Sequence, residues 1–332
     1  MSKKYISDIP KAELHLHIEG TFEPELIFHI AERNKVKVPY ASVESLREAY
    51  NFKDLQSFLD VYYAGMNVLK TEQDFMDLAN AYFERAKEQN VVHAEIFFDP
   101  QAHTQRGIPF STVIEGLHAA ASASKKKYGV SSKLIMCFLR DLSAESAMET
   151  LEQALPYGER IVAVGLDSAE VGNPPAKFKA VFDRARANGF KTVAHAGEEG
   201  PPDYVWQALN ELKVSRIDHG VRSLEDPKLV QHLHETCTPL TVCPLSNVKL
   251  KVFSDLKEHN VKEMLDLGLH ATINSDDPAY FGGYVEDNFH EIFDALTLTQ
   301  TDLRTLAENS FRASFLSDAE KREYIDKLHQ VV

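Results

Sequence analysis

Ala12-Glu13-Leu14-His15-Leu16-His17-Ile18-Glu19-Gly20 decides how this chain folds. Residues 12–18 read as a β-strand, and they end in polar side chains. An open, doubly wound sheet usually follows its first strand with a glycine-rich nucleotide loop. No G-x-G-x-x-G stands here. The two histidines, two apart on a strand, point to the same face. Two imidazoles aimed at one point suit a transition metal.

Seven further β-rich runs lie outward of this one, at 91–98, 131–139, 161–167, 191–197, 216–220, 239–244 and 271–276. Helically spaced segments separate them. Thr71 with Asp74 forms a capping box ahead of an apolar stripe, Phe75, Leu78, Ala79, Tyr82 and Ala86. Asn188-Gly189 and Gly268 stop helices before the next strand. Eight strands with helical crossovers and no nucleotide loop predict a (β/α)8 TIM barrel, read as one domain over residues 1–332. Residues 19–90 form a helical insertion after the first strand, long enough to cover the barrel mouth, and residues 286–332 form terminal helices.

The composition limits the partners. With 36 basic and 50 acidic residues the net charge is −14, so neither nucleic acid nor an anionic membrane surface is expected as a partner. The longest apolar run, Leu134 to Leu139, is far short of a membrane span. Cys137, Cys237 and Cys243 form no C-x-x-C pair, and the basic N-terminus leads into no apolar signal region. A cytoplasmic protein is expected.

Active sites of such barrels lie at the C-terminal ends of the strands. The polar residues at those ends are His15 and His17, His195, Asp218 and His219, and Asp276 and Asp277. His195 and one of the two aspartates would complete a site begun by His15 and His17, with nitrogen and oxygen donors that leave a metal able to acidify water. Glu198, three residues past His195, sits where a carboxyl beside a metal and an apolar ring would hold and donate a proton. His219 reads as a base or as an orienter of water. His232-Leu233-His234 has the same spacing but lies on a helix, where it reads as surface, as do His29, His118, His259, His270, His290 and His329. Cys243 reads as core filling.

These residues resemble a known family. Pro10 to Thr21 resembles the first metal motif of the adenosine/adenine deaminases, His195-Ala196-Gly197-Glu198 their catalytic motif and Ser275-Asp276-Asp277-Pro278 their last one. The likeness runs from about residue 10 to 310 in family order, and it is strongest to the adenine deaminase branch. It implies one zinc ion per chain on His15, His17, His195 and Asp276. It implies Glu198 as proton donor, His219 as assistant to the water and Asp277 as a purine-binding residue. The expected activity is hydrolysis of adenine to hypoxanthine and ammonia, in purine salvage. Where adenosine-cleaving relatives carry Ala-Gly, this chain has Ala169-Glu170, and Glu19 replaces an aspartate that faces the sugar. Both glutamates are therefore expected at the substrate, filling ribose space. The alternatives are an adenosine deaminase and a catalytically silent purine-binding protein. The intact donor set with its acid argues against the silent one.

Overall fold

The computed structural model describes residues 2–52 and 55–332. Eight parallel strands follow one another round a single sheet: β1 (Lys11–His17), β2 (Val91–Phe98), β3 (Ser131–Leu139), β4 (Ile161–Asp167), β5 (Lys191–Ala196), β6 (Arg216–His219), β7 (Pro239–Val242) and β8 (His270–Ile273). The sheet closes where β8 returns to β1. There Leu14 N–H donates to Asn274 Oδ1 at 2.8 Å, Asp276 N–H to the His15 carbonyl at 3.1 Å and His17 N–H to the Asp276 carbonyl at 2.9 Å. With helices around it, the sheet is the (β/α)8 barrel that the strand count predicts. The eighth strand is shorter than its apolar run. The chain leaves the ladder after Ile273 and meets β1 again through the Leu16–Asp276 bridge.

Phe97, Ile135, Cys137, Ala163 and Val193 fill the barrel interior. Toward its N-terminal end the core is ionic. The buried Arg216 guanidinium donates to Glu95 Oε2 at 2.7 Å and to the Leu14 carbonyl at 3.0 Å. Burial alone would raise the Glu95 carboxyl, but Arg216 and His93 hold it down at about 2. The mouth at the opposite end is thus left for chemistry.

Helices Pro24–Asn34, Val43–Glu48, Leu55–Met66 and Glu72–Glu88 make up the insertion, with residues 53 and 54 outside the described part. The Thr71–Asp74 capping box is present, and Phe75, Leu78, Ala79, Tyr82 and Ala86 are buried as the stripe requires. Helix Leu55–Met66 lies across the mouth and puts Phe58, Leu59, Tyr62 and Tyr63 on the cavity below it. Helices Pro278–Phe281, Val285–Leu296, Gln300–Ala313 and Asp318–His329 follow β8. An N-terminal helix, Ser2–Asp8, has no counterpart in the sequence reading; it is anchored by buried Tyr5 and Ile6. Among the described residues no helix is long and apolar enough to cross a membrane.

Candidate active site

His15 and His17 project from the end of β1 into the mouth, and His195 meets them from β5. All three are at most 6% exposed. Each has an acceptor near its Nδ1: the Thr241 carbonyl 3.2 Å from His15, Asp167 Oδ2 3.5 Å from His17 and Asp218 Oδ2 3.5 Å from His195. Thr241 Oγ1 lies 3.0 Å from the same His15 nitrogen and donates to Asp218 Oδ1 at 2.9 Å. A proton on each Nδ1 leaves three Nε2 lone pairs converging. His17 Nε2 stands 3.1 Å from His195 Nε2, two buried acceptors face to face, and His15 Nε2 has no hydrogen-bond partner. Burial holds His17 down at about 4 and His195 well below the ordinary value, so these two rings are neutral, as metal ligands must be.

Asp276 supplies the negative charge. Its Oδ1 lies 3.3 Å from His15 Nε2 and 3.4 Å from His17 Nε2. Burial opposes its ionisation, but His15, His219 and His17 hold the carboxyl well below the usual range. The spacings His17–His195, His15–Asp276 and His17–Asp276, 3.1–3.4 Å, are those of donors sharing one ion at metal bonds of about 2.0–2.1 Å. The donors therefore fit a small transition-metal cation, with Thr241 hydrogen-bonded behind His15 and the carboxylates of Asp167 and Asp218 3.5 Å behind His17 and His195. Asp276 reaches this position at φ 64° and His219 at φ 64°, left-handed backbone that costs non-glycine residues energy and concentrates at functional sites.

His15, His195, His219 and Asp276 all offer atoms within 4.8 Å of one another, so distance alone does not separate His219 from the ligands. Hydrogen bonding does. Val261 N–H donates to His259 Nδ1 at 3.2 Å, so the His259 proton sits on Nε2 and goes to Asn247 Oδ1 at 3.2 Å. The Asn247 amide then donates to His219 Nδ1 and to Glu198 Oε1, each at 3.4 Å. His219 thus keeps its proton on Nε2, 3.4 Å from Glu198 Oε2 and 3.8 Å from Asp276 Oδ2. It has the opposite tautomer to the three converging rings. It is a donor into the site.

Glu198 lies between this pair and the cavity. Burial, then the charges of Asp276 and Glu170, push its carboxyl well above the usual range, so it carries a proton near neutrality. Asp277 is raised in the same way by burial and by Asp276. Gly20 is what lets Asp277 sit there, since a Cβ on residue 20 would lie 2.0 Å from Asp277 Oδ1. The cavity is lined at its floor by His17, His195, His219 and Asp276, and at its sides by Glu198, Asp277, Asp99, Leu139, Asp167 and Ser168.

Three sequence expectations need correction. Glu170 does not line the cavity. Its Oε1 accepts from Gly197 N–H at 2.7 Å, and its Oε2 accepts from the amides of Glu198, Glu199 and Gly200 at 3.0, 2.9 and 2.8 Å. It clamps the turn that carries Glu198. Glu19 is also off the cavity wall. Its Oε1 accepts from Asp99 N–H at 3.2 Å and from His103 Nε2 at 2.8 Å. His259 is 3% exposed and belongs to the chain behind His219, because Asn247 and the ring of Phe253 cover it. Asn247, Asp99 and Asp167 carry no role in the sequence reading. The last two carry the signal that found the others, an acid ending an apolar strand, as in Ile96-Phe97-Phe98-Asp99 and Val164-Gly165-Leu166-Asp167. Cys243 is fully buried, as expected of core filling.

Relatives match this chain over nearly their whole length. The adenosine deaminase family model matches residues 10–331. An adenine deaminase of Crocosphaera subtropica is 62% identical over 97% of this chain and 98% of its own, and one of Acinetobacter baylyi is 61% identical over 98% of both. The crystal structure of an adenine deaminase from Arthrobacter aurescens superposes with a TM-score of 0.96, at 54% identity over 97% of this chain and 98% of that one. A likeness that holds in sequence, in fold and across both chains end to end is one of descent, and this chain belongs to the adenosine/adenine deaminase family, on its adenine deaminase branch.

Proposed function

We propose that the chain hydrolyses adenine to hypoxanthine and ammonia with one zinc ion held by His15, His17, His195 and Asp276, as a step of purine salvage. The observation that carries this reading is the gathering of the His15, His17 and His195 imidazoles with the Asp276 carboxylate, beside Glu198, whose carboxyl burial pushes well above the usual range. Held by these four residues, zinc would supply the acidity that brings the pKa of water from about 15.7 to about 7.

The residues do the remainder. Glu198 gives its proton to ring nitrogen 1, which breaks aromaticity and makes carbon 6 electrophilic. His219, with its proton on Nε2, donates to the attacking oxygen and aims it at carbon 6. Of the two roles expected for His219, the hydrogen-bond chain through Asn247 favours orienting over taking the proton. Asp277, protonated, donates to ring nitrogen 7. Of the two protons the water loses, one ends on the departing amine and the other returns to Glu198, so adenine and water give hypoxanthine and ammonia and the acid is restored. Helix Leu55–Met66 screens the cavity from bulk water with Phe58, Tyr62 and Tyr63, which strengthens each of these interactions.

The test is ammonia release by zinc-loaded protein with adenine and adenosine at equal concentration. Adenine turnover with little on adenosine is expected. Glu198→Gln should lower kcat by about 10²–10⁴-fold while zinc content stays at one per chain. Turnover of adenosine in preference to adenine would overturn the substrate assignment, and full activity after zinc removal would overturn the mechanism.

A further inference from the structure

We propose that Asp99 is the specificity residue of this pocket: its carboxylate accepts the ring N–H that only an unsubstituted purine base carries. This rests on the adenine reading above and adds to it the means by which the base is told from its nucleoside.

The order of strands round the mouth fixes where each edge of the ring lies. Glu198 follows β5, His219 ends β6 and Asp277 follows β8. With carbon 6 toward His219, nitrogen 1 toward Glu198 and nitrogen 7 toward Asp277, the remaining edge runs from nitrogen 3 to nitrogen 9. It faces the arc from β4 back through β2. The cavity wall on that arc is Asp99 after β2, Leu139 on β3, and Asp167 and Ser168 at the end of β4. Leu139 offers no polar atom. No lysine or arginine lines the arc among the described residues.

Asp99 is 3% exposed, and its Oδ1 has no hydrogen-bond partner although it borders the cavity. Such a group is costly unless a ligand completes it. Asp167 is equally buried and neither of its oxygens has a hydrogen-bond partner, but its Oδ2 stands 3.5 Å from His17 Nδ1, on the metal side of the cavity. Asp99 also lies within 4.8 Å of His17 and Asp167, but among the described residues no ion pair joins it to either histidine of β1 and its Oδ1 stays unpartnered. Its backbone is fixed instead: Glu19 Oε1 accepts the Asp99 N–H, His103 Nε2 donates to the same oxygen at 2.8 Å, and Arg106 Nη2 donates to His103 Nδ1 at 2.8 Å. Glu19, expected at the sugar, thus acts one step back as the support of Asp99. A free base presents an N–H at nitrogen 9. A nucleoside has none there and would set its sugar against a buried acceptor left unpaired, a mismatch that discriminates strongly.

The experiment compares adenine with 9-methyladenine in the zinc-loaded wild type, Asp99→Leu and Asp99→Asn. Leucine keeps the size and removes the acceptor; asparagine keeps a carbonyl acceptor. The wild type should prefer adenine by about 100-fold or more in kcat/KM. Asp99→Leu should raise KM for adenine and collapse that preference toward unity, and Asp99→Asn should restore adenine to within about tenfold of wild type. Equal loss on both substrates in Asp99→Leu would mark a structural role and overturn the proposal, as would an unchanged preference, which a purely steric filter predicts. Calorimetric binding of adenine separates the two claims. If wild-type protein binds adenine but releases no ammonia, the activity assignment fails. The acceptor then stands or falls on whether Asp99→Leu abolishes binding that Asp99→Asn retains.

Discussion

A carboxylate has about four lone-pair sites, and Glu170 spends four hydrogen bonds on the amides of residues 197–200. That saturation separates its role from the one its position in the sequence suggests. A glutamate in place of a glycine reads as bulk and charge aimed at a substrate, whereas here it turns back onto the turn carrying Glu198. The difference is testable. Glu170→Ala should leave zinc content unchanged and lower kcat for adenine about 100-fold, because a displacement of roughly 1 Å in a catalytic group costs that much. It should give no gain with adenosine, since the side chain does not occupy the cavity. Steady-state kinetics on both substrates with metal analysis decides it, and an appearance of adenosine turnover would restore Glu170 to the sugar side.

Elements carry a different kind of legibility. Strand positions follow from β-rich runs between helix stops, and the mouth follows from where those runs turn polar, so His15, His17, His195, Glu198, His219, Asp276 and Asp277 could be placed together before any geometry was known. Lateral packing could not. His259 lies in a short loop before helix Val261–Asp266, where periodicity is silent, and its burial depends on Asn247 twelve residues away. Glu19 and Glu170 were misplaced for the same reason, because the direction of a side chain at a strand end is set by the partners it finds. The Thr71–Asp74 box shows the opposite case, a local signal that tertiary contacts then strengthen. Asp74 accepts from the amides of Lys70 and Thr71, each at 2.8 Å, from Asn34 Nδ2 at 2.7 Å and from Arg33, tying two helices of the insertion together. Burial works against its charge, yet these donors hold its carboxyl below the ordinary value. The folded state therefore binds that proton less readily than the unfolded one. The stabilisation is full above the ordinary aspartate range and is lost as pH falls through the lowered value. Asp74→Ala should cost about 2 kcal/mol at pH 7 and much less near pH 2–3, read from urea midpoints across that range. An equal loss at both pH values would show that packing, and not charge, is what Asp74 contributes.

At the scale of the whole molecule, the predicted zinc ligands come from β1, β5 and the segment after β8, so a bound ion ties opposite sides of the barrel and spans its closing seam. That seam rests on the hydrogen bonds of Leu14, His17 and Asp276 to their neighbours, with no continuous ladder. Without a cation, His17 and His195 set ring nitrogens 3.1 Å apart, and Asp276 stays buried with only the imidazoles of His15, His17 and His219 against its carboxylate among the described residues. Filling the site should therefore stabilise the fold as well as activate it. A ligand present at a thousandfold excess over its Kd adds about 4 kcal/mol, and for a chain of this length that corresponds to roughly 5–10 °C in Tm. Chelator-treated protein is expected to melt lower by that amount and to recover on addition of zinc. His15→Ala, lacking one donor, should melt at the lower temperature whether or not chelator is present. Identical melting of treated and untreated wild type, with metal removal verified by elemental analysis, would mean that the barrel holds its seam unaided and that the four residues are poised for catalysis alone.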